Sequence, residues 1–173
     1  FHWSHLELQR YFGYTGHLNA KTADEVWNIC NAKLQEDSMS ARNIILQSNV
    51  TFIGTTDDPT DSLEWHKMIR EDDSFDVVVA PSWRPDKAMN IEKADFVEYI
   101  TKLAQVTDMD ITTFADVKAA LANRMDYFKE NGCQISDHGL EYVMYVPASD
   151  EEVERIFAKR MAGEVLSRDE ELA

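Results

Sequence analysis

The sequence predicts an α/β protein in which short parallel strands lie beneath covering helices. Three apolar, β-branched runs of strand length occur, over residues 50–53, 76–80 and 133–136. Stretches with apolar residues at helical spacing separate these runs. Strands this apolar, alternating with helices, favour parallel pairing with right-handed crossovers and helices covering the sheet.

The first 48 residues predict helices only. Gly13 ends a short first helix, and Asn19 or Thr22 is suited to capping the second. A third helix is predicted to begin at Ser40. We therefore expect a helical region over 1–48 and strand–helix units over 49–173, within a single segment that has no internal domain boundary.

Capping patterns predict where most of the remaining helices begin. Asp61-x-x-Glu64 resembles a capping box after the first strand, and Thr112 or Thr113 is expected to cap a long helix. Ser149 precedes the last full helix in the same way. Two helices are predicted over residues 61–70 and about 91–106, the long helix is expected to end at Gly132, and the last full helix is expected to end at Gly163.

Composition excludes several classes of protein. The chain carries 32 acidic against 17 basic residues, a formal net charge of -15, which argues against a nucleic-acid-binding surface. No apolar run reaches the roughly 20 residues that a membrane span needs, so no membrane partner is expected. Cys30 and Cys133 stand in no metal or redox spacing, which predicts free thiols in the cytoplasm.

The length bears on the architecture. A complete (β/α)₈ barrel needs about 250 residues, and three strands with their helices are less than half of one. The sequence permits either a small three-stranded α/β unit or a fragment of a barrel. The chain opens at Phe1 without a methionine and stops within a capping box that begins at Ser167, so we expect a segment of a larger protein. The predicted fold is therefore a partial (β/α)₈ TIM barrel.

Polar side chains follow each predicted strand. Asp57 and Asp58 come after the first, Arg84 after the second, and Asp137 and His138 after the third. In α/β sheets and barrels the sites are built at that end of the strands. We therefore expect these side chains to belong to one site.

Arg84 lies between Trp83 and Pro85, where a guanidinium can be held rigidly. Such a group binds a carboxylate or a phosphate through two parallel hydrogen bonds. The alternative is an arginine that pairs with Asp86 or stacks on Trp83.

The remaining candidates also have structural alternatives. Asp57 and Asp58 are suited to orienting a sugar hydroxyl, to acid and base chemistry or to binding a cation, and equally to favouring a helix N-terminus. His138 is suited to proton transfer, to hydrogen bonding a substrate oxygen or to binding a metal, or it is a structural histidine. His5 lies on the first helix, within reach of a cleft. His2, His17 and His66 are expected to be exposed. No metal-binding motif, phosphate loop or dinucleotide fingerprint is present, so most ligands of any metal would lie elsewhere.

Five blocks of sequence, in order along the chain, carry a resemblance to a known family. They are WSHLELQRYFG at 3–13, TADEVW at 22–27, TTDDPTDSLE at 55–64, RPDKA at 84–88 and GCQISDHGL at 132–140. Together they resemble the uronate isomerases, also called glucuronate isomerases. The match runs across essentially the whole chain.

This resemblance implies a (β/α)₈ barrel of the amidohydrolase superfamily that interconverts D-glucuronate with D-fructuronate and D-galacturonate with D-tagaturonate. It also implies a divalent metal, usually zinc, held by a His-x-His on the first barrel strand and an aspartate on the last, neither of which is in this sequence. Arg84 matches the arginine expected to bind the uronate carboxylate. The blocks place His5, Asp57 and Asp58 among substrate-binding residues. The catalytic candidates are Asp137 and His138.

The leading interpretation is a central fragment of such an isomerase that is inactive alone. A second is a stand-alone α/β domain that binds a sugar acid without catalysis. A third is a glycosidase that uses Asp57 and Asp137 as its carboxylate pair. Exposed sheet edges also favour association into a homo-oligomer.

Overall fold

The computed structural model describes residues 1–140 and 145–173. The chain forms two compact units, residues 1–51 and residues 52–173. Across the described residues the protein is an α/β structure of mostly helices with a small parallel sheet.

The first unit contains only helices, as the sequence predicts. Gly13 adopts the left-handed conformation, with φ 69°, that ends the first helix. Ser40 caps the third helix by accepting a hydrogen bond from the backbone N–H of Asn43 at 3.3 Å. The unit comprises α1 (His2–Phe12), α2 (Ala23–Lys33), a 3₁₀ turn (Asp37–Met39) and α3 (Ala41–Gln47).

Thr22 occupies the position before α2, but it does not cap that helix. Its hydroxyl donates instead to the carbonyl oxygen of His17 at 2.7 Å. Asn19 accepts from the backbone N–H of Lys21 at 2.8 Å, which closes a turn. Both side chains therefore fix the loop that precedes the helix.

The second unit begins at the first strand and alternates strands with helices before it becomes helical. The elements are β1 (Phe52–Gly54), α4 (Glu64–Arg70), β2 (Val78–Ala80), α5 (Asp86–Met89), α6 (Phe96–Thr107), α7 (Phe114–Glu130), α8 (Asp150–Met161) and α9 (Arg168–Leu172). The predicted helix over 91–106 begins later than expected, at Phe96, and the short helix α5 was not predicted.

β1 and β2 pair in parallel, as predicted, with Phe52 opposite Val78. The third predicted strand, residues 133–136, is present only as a single bridge between Ser136 and Trp83. Gly54 of β1 leaves room for the Ile135 side chain of this segment, because a Cβ there would lie 2.8 Å from the Cδ1 of Ile135. The third segment thus lies beside β2 without forming a regular strand.

The two strands are buried only in part, contrary to the expectation from their apolar sequence. Phe52 is 43% exposed and Val78 is 55% exposed. These two residues are register partners, so they share one face of the sheet. The described residues cover that face at Ala80 but leave it open at Phe52 and Val78, which is the physical reason for the difference.

The main apolar core lies among α6, α7 and α8. Its residues recur every three or four positions along each helix, as the sequence predicts. Aromatic rings of Phe96 and Phe157 meet edge to face, with centroids 6.4 Å apart. The buried members of this cluster are Phe96, Tyr99, Ile100, Leu103, Val117, Ala120 and Phe157.

Within the second unit, the capping predictions were right for α7, α8 and α9 and wrong for α4. Thr113 and Asp116 form the capping box of α7, and Ser149 caps α8. Asp61, in contrast, does not cap α4, because its carboxylate accepts from the backbone N–H of Asp58 at 2.9 Å. Leu63, with φ 54°, precedes α4 instead, without a side-chain cap.

Candidate active site

Three loops meet at Trp83, one after each predicted strand. Trp83 is bridged in parallel to Asp57 on one side and to Ser136 on the other. Its buried ring packs edge to face on Phe128 of α7, with centroids 5.1 Å apart. The structure therefore places the three predicted strand ends side by side, in chain order.

Arg84 and Asp137 form a two-pronged ion pair across the second and third of these loops. The Nε of Arg84 donates to Oδ1 of Asp137 at 3.1 Å, and Nη2 donates to Oδ2. The hydrogen bonds from Arg84 hold the pKa of Asp137 below its ordinary value, and the same contact raises the pKa of Arg84. The hydrogen-bond partner of the Arg84 side chain is thus Asp137 and not Asp86, which was one of the two structural alternatives considered for this arginine.

Asp86 and His138 form a second pair between the same two loops. The Nδ1 of His138 lies 2.8 Å from Oδ1 of Asp86, and the backbone N–H of Gly139 donates to Oδ2 at 2.7 Å. Because a carboxylate oxygen only accepts, Nδ1 is the protonated nitrogen, and Nε2 remains the nitrogen that faces away from Asp86. A Cβ on Gly139 would lie 3.3 Å from Asp86, so glycine suits this close contact.

Asp86 is a further residue of the candidate site, and the sequence pattern alone does not single it out. It lies in the RPDKA block, two positions after Arg84, and it opens the short helix α5. Its partner His138 is 52 residues away in sequence. Its position in the RPDKA block is the one indication in the sequence that Asp86 belongs to the site. Only the fold shows that its carboxylate contacts His138 and the backbone of Gly139.

Asp57 is buried and its carboxylate points into the protein. Oδ2 accepts from the Thr55 hydroxyl at 2.6 Å and from the backbone N–H of Ser82 at 3.1 Å. These bonds tie the loop after β1 to the loop after β2. The geometry fits a structural role better than that of one carboxylate of a glycosidase pair, because such a pair must flank the scissile bond.

His66 was predicted to be exposed, and that prediction was wrong. Its side chain is only 11% exposed, and Nε2 lies 2.7 Å from the Thr55 hydroxyl and 3.7 Å from Oδ1 of Asp57. Its Nδ1 is buried and has no hydrogen-bond partner among the described residues. His66 therefore belongs to the support beneath the loop after β1.

Asp58 closes a turn rather than capping α4. Its Oδ1 accepts from both the backbone N–H and the hydroxyl of Thr60, at 2.9 and 2.7 Å. Its Oδ2 lies 4.0 Å from the Nζ of Lys87. Burial and the nearby charge of Asp58 raise the pKa of Tyr99.

The long helix α7 holds the loop that follows Asp58. Buried Arg124 donates from Nε to the carbonyl oxygen of Pro59 at 2.7 Å and from Nη2 to that of Asp61 at 2.8 Å. Its guanidinium carbon lies 4.0 Å from the ring centre of Tyr127. Arg124 of α7 thus fixes residues 57–61, which we call the acidic loop because it carries Asp57, Asp58 and Asp61.

His5 lies in the first unit, and both of its ring nitrogens are engaged there. Nδ1 lies 3.0 Å from the carbonyl oxygen of Phe1, and Nε2 accepts from the backbone N–H of Leu18 at 2.9 Å. A carbonyl accepts and an N–H donates, so these bonds select the ring with its proton on Nδ1. The substrate-binding role of His5 stays a prediction.

Within residues 1–140 and 145–173, no group of three or more His, Cys, Asp and Glu side chains is placed to hold a metal ion. These residues by themselves do not fit the divalent metal that the resemblance implies. In the same part of the chain, no helix is long and apolar enough to cross a membrane.

A small parallel sheet whose strand ends carry a guanidinium, carboxylates and an imidazole defines the class. This is an α/β protein with polar and charged side chains at the carboxyl ends of its parallel strands, where proteins of this class commonly place their binding sites. A family model described as glucuronate isomerase matches residues 1–173, so the chain belongs to the glucuronate isomerase family.

Similar proteins agree with this family. The chain is 61% identical over 170 residues to a uronate isomerase of Lachnospira eligens, matching 98% of the chain and 36% of that protein. It is 59% identical over 172 residues to a uronate isomerase of Endomicrobium trichonymphae, matching 99% of the chain and 37% of that protein. The chain thus spans little more than a third of the length of these relatives.

Two crystal structures have the same fold over nearly the whole chain. The uronate isomerase from Thermotoga maritima matches with a TM-score of 0.87 and 32% identity, over 99% of this chain and 37% of that one. The glucuronate isomerase from Caulobacter crescentus matches with a TM-score of 0.83 and 27% identity, over 98% of this chain and 36% of that one.

Proposed function

We propose that this chain is one part of a uronate isomerase, which interconverts D-glucuronate with D-fructuronate and D-galacturonate with D-tagaturonate. The observation that carries the proposal is the family match over all of residues 1–173. The relatives, which are named uronate isomerases, are nearly three times as long as the region that the chain matches. The complete activity therefore belongs to a longer polypeptide, and the 173-residue chain alone is expected to be inactive.

The fold proposed for that polypeptide is a (β/α)₈ barrel, of which this chain supplies a part. Three parallel segments lie side by side in the order in which they occur in the chain, through the contacts at Trp83. Consecutive strands are neighbours in such a barrel, and its sites lie at the carboxyl ends of the strands. The uncovered sheet face at Phe52 and Val78 fits a partial barrel as well.

The chemistry proposed for the chain begins with the substrate's carboxylate. Arg84 presents two N–H groups to one carboxylate already, and a uronate offers the same planar group. Transfer of a proton between C1 and C2 of the sugar then requires a base. His138 is suited to hold that proton at Nε2, because Asp86 fixes its other nitrogen.

The divalent metal that the resemblance implies, usually zinc, remains part of the proposal for the complete enzyme. Its ligands would come from outside the described residues, which form no suitable group. We also propose a cytoplasmic location, because the two cysteines are free thiols. Association into a homo-oligomer is a further part of the proposal.

Expression of the complete polypeptide that contains this chain tests the proposal. We expect it to convert D-glucuronate to a ketose, and we expect the 173-residue chain to show no turnover. Turnover by the isolated chain at the rate of the complete enzyme would show that the partial-enzyme interpretation is wrong. An isolated chain that binds uronate, paired with a complete polypeptide that does not isomerise it, would favour a sugar-acid-binding domain.

The role of Arg84 has a separate test in the complete polypeptide. Arg84→Ala is expected to raise KM for D-glucuronate about ten- to a hundredfold, because the charge-assisted bonds to the carboxylate are lost. Arg84→Lys should recover only part of the affinity, since an ammonium cannot form the two-pronged contact. Arg155→Ala, which removes an exposed arginine of α8, is the matched control and should leave KM unchanged.

A further inference from the structure

In this structure Arg84 already binds a carboxylate, which is that of Asp137. The Nε and Nη2 edge of the guanidinium faces both oxygens of Asp137. This edge is one of those through which an arginine grips a carboxylate in parallel bonds. An external carboxylate and Asp137 cannot both occupy it.

We propose that Asp137 is an internal occupant of the carboxylate-binding edge of Arg84, and that a bound uronate takes its place. The inference rests on the proposed function for the identity of the ligand, and on the geometry for the exchange itself. It makes Asp137 a residue that sets the affinity and the selectivity for anionic sugars.

The surroundings of the pair make this exchange feasible. The side chains of Arg84 and Asp137 are 32% and 47% exposed, so water can replace the contacts of either partner as it leaves. An exposed ion pair contributes little net stability, because solvent screens it. A sugar acid that adds hydroxyl contacts elsewhere in the site can therefore displace the aspartate.

The Asp86–His138 pair can stay in place when the Arg84–Asp137 pair separates. Asp86 holds His138 and the backbone of Gly139 through its two oxygens, and it makes no hydrogen bond to Arg84 among those described. The neighbour of Asp137 along the chain is thus fixed independently of Arg84. The side-chain hydrogen bonds described for Asp137 are both to Arg84, so its movement leaves the Asp86–His138 pair intact.

The exchange also changes the chemistry of the released carboxylate. The contact with Arg84 holds the pKa of Asp137 low. Release of Asp137 leaves a more basic carboxylate beside the site, free to accept a hydrogen bond from a sugar hydroxyl. A neutral sugar has no group that displaces Asp137, so the internal pair favours ligands that carry a carboxylate of their own.

Binding of D-gluconate to the complete polypeptide tests the exchange, because this acid has a carboxylate but no aldehyde to isomerise. Asp137→Asn is expected to tighten D-gluconate binding by about two- to fivefold in calorimetry, since the competing charge is removed. The affinity for D-glucitol, which lacks the carboxylate, should not change. In an Arg84→Ala background, Asp137→Asn should have no effect on D-gluconate.

Asp110→Asn is the matched control, because it removes the same charge from an exposed loop before α7. Weaker D-gluconate binding in Asp137→Asn would show that Asp137 positions Arg84, and unchanged binding would show that the ligand uses another edge of the guanidinium. Either result overturns the exchange.

The outcome also separates the inference from the proposed function. If the unmodified polypeptide isomerises D-glucuronate and Asp137→Asn fails to tighten binding, only the exchange is wrong. If it does not isomerise but Asp137→Asn tightens D-gluconate binding, the exchange stands and the isomerase proposal fails. If neither occurs, both are overturned.

Discussion

At the scale of single residues, the candidate site separates into groups that face the solvent and groups that support them. Arg84, Asp137 and His138 are partly exposed at the strand ends. Asp57 and His66 are less exposed, and Asp57 accepts from the Ser82 backbone while Nε2 of His66 contacts the Thr55 hydroxyl. The first set is available to a ligand, whereas the second fixes the positions of the loops.

This division predicts that Asp57 matters first for stability. Asp57→Ala leaves the buried N–H of Ser82 without its acceptor, so the unfolding free energy should fall by about 1–3 kcal/mol in denaturant titrations. Asp57→Asn retains an oxygen acceptor and should lose less. Asp73→Ala, at an exposed aspartate before β2, should change stability by no more than about 0.5 kcal/mol. Equal losses in the Asp57 and Asp73 variants would contradict the structural role.

The residue types at the site could be predicted from the sequence, but their partners could not. A guanidinium after a strand indicates anion binding, and Arg84 was selected for that reason. The partner Asp137 is 53 residues away, and only the parallel arrangement of the loops brings the two together. The prediction that His66 is exposed was wrong for the same reason. Its partner Thr55 lies in the loop before α4, and only the fold brings that loop against the imidazole.

At the scale of elements, helix starts were predictable where a cap is local. Thr113 and Ser167 each find their partner three residues later, so the motif contains all the atoms of the capping box. Asp61 has the same spacing to Glu64, but a turn competes for its carboxylate. The sequence pattern does not distinguish these two outcomes, because the competing donor is the backbone of Asp58.

The acidic loop depends on α7 through a single buried arginine. Arg124→Ala should lower the unfolding free energy by about 2–3 kcal/mol, because the carbonyl oxygens of Pro59 and Asp61 lose their donors. Arg124→Lys should recover part of this loss, since one ammonium cannot serve both carbonyls in the geometry of a guanidinium. Lys129→Ala, at an exposed position of the same helix, is the control. Equal Tm values for Arg124→Ala and Lys129→Ala would refute the dependence.

The last helix, α9, is held to α8 by a pH-sensitive contact. Hydrogen bonds from Lys159, from the backbone N–H of Ser167 and from Arg155 lower the pKa of Glu170 from 4.5 to about 2. A depressed acid stabilises the fold above its ordinary pKa and loses that contribution as the pH falls through its folded-state pKa. The stabilisation should therefore be complete above about pH 4.5 and decline between pH 4.5 and pH 2.

Glu170→Gln measures this contribution. The variant should have a lower Tm than the unmodified protein at pH 6, and the gap should narrow as the pH is lowered to 3. Glu164→Gln, which changes an exposed glutamate between α8 and α9, should show no such convergence. A gap that is constant from pH 6 to pH 3 would show that the ion pairs of Glu170 do not stabilise the fold.

At the scale of the whole molecule, the sheet explains why the fold class was predictable and the burial was not. Alternation of apolar runs with helices indicates parallel strands, and this pattern does not depend on the other strands of the sheet. Burial depends on what covers the sheet, and the described residues cover only part of it. The apolar sequence of the strands therefore indicates burial that the 173-residue chain does not by itself complete.

The uncovered face predicts that the isolated chain associates with itself. Phe52 and Val78 lie side by side on the sheet, and each is about half exposed. Exposed apolar strands favour pairing with other chains. The apparent mass of the isolated chain in sedimentation should therefore rise with concentration, and replacement of both residues by threonine should reduce this rise. Val165→Thr removes an apolar side chain that is more exposed but lies off the sheet, so it should leave association unchanged. If Val165→Thr reduces association as much as the double variant, general hydrophobicity and not the sheet face is responsible.

In the complete polypeptide the same threonine pair should instead lower stability, because the proposed barrel would cover this face and bury both side chains.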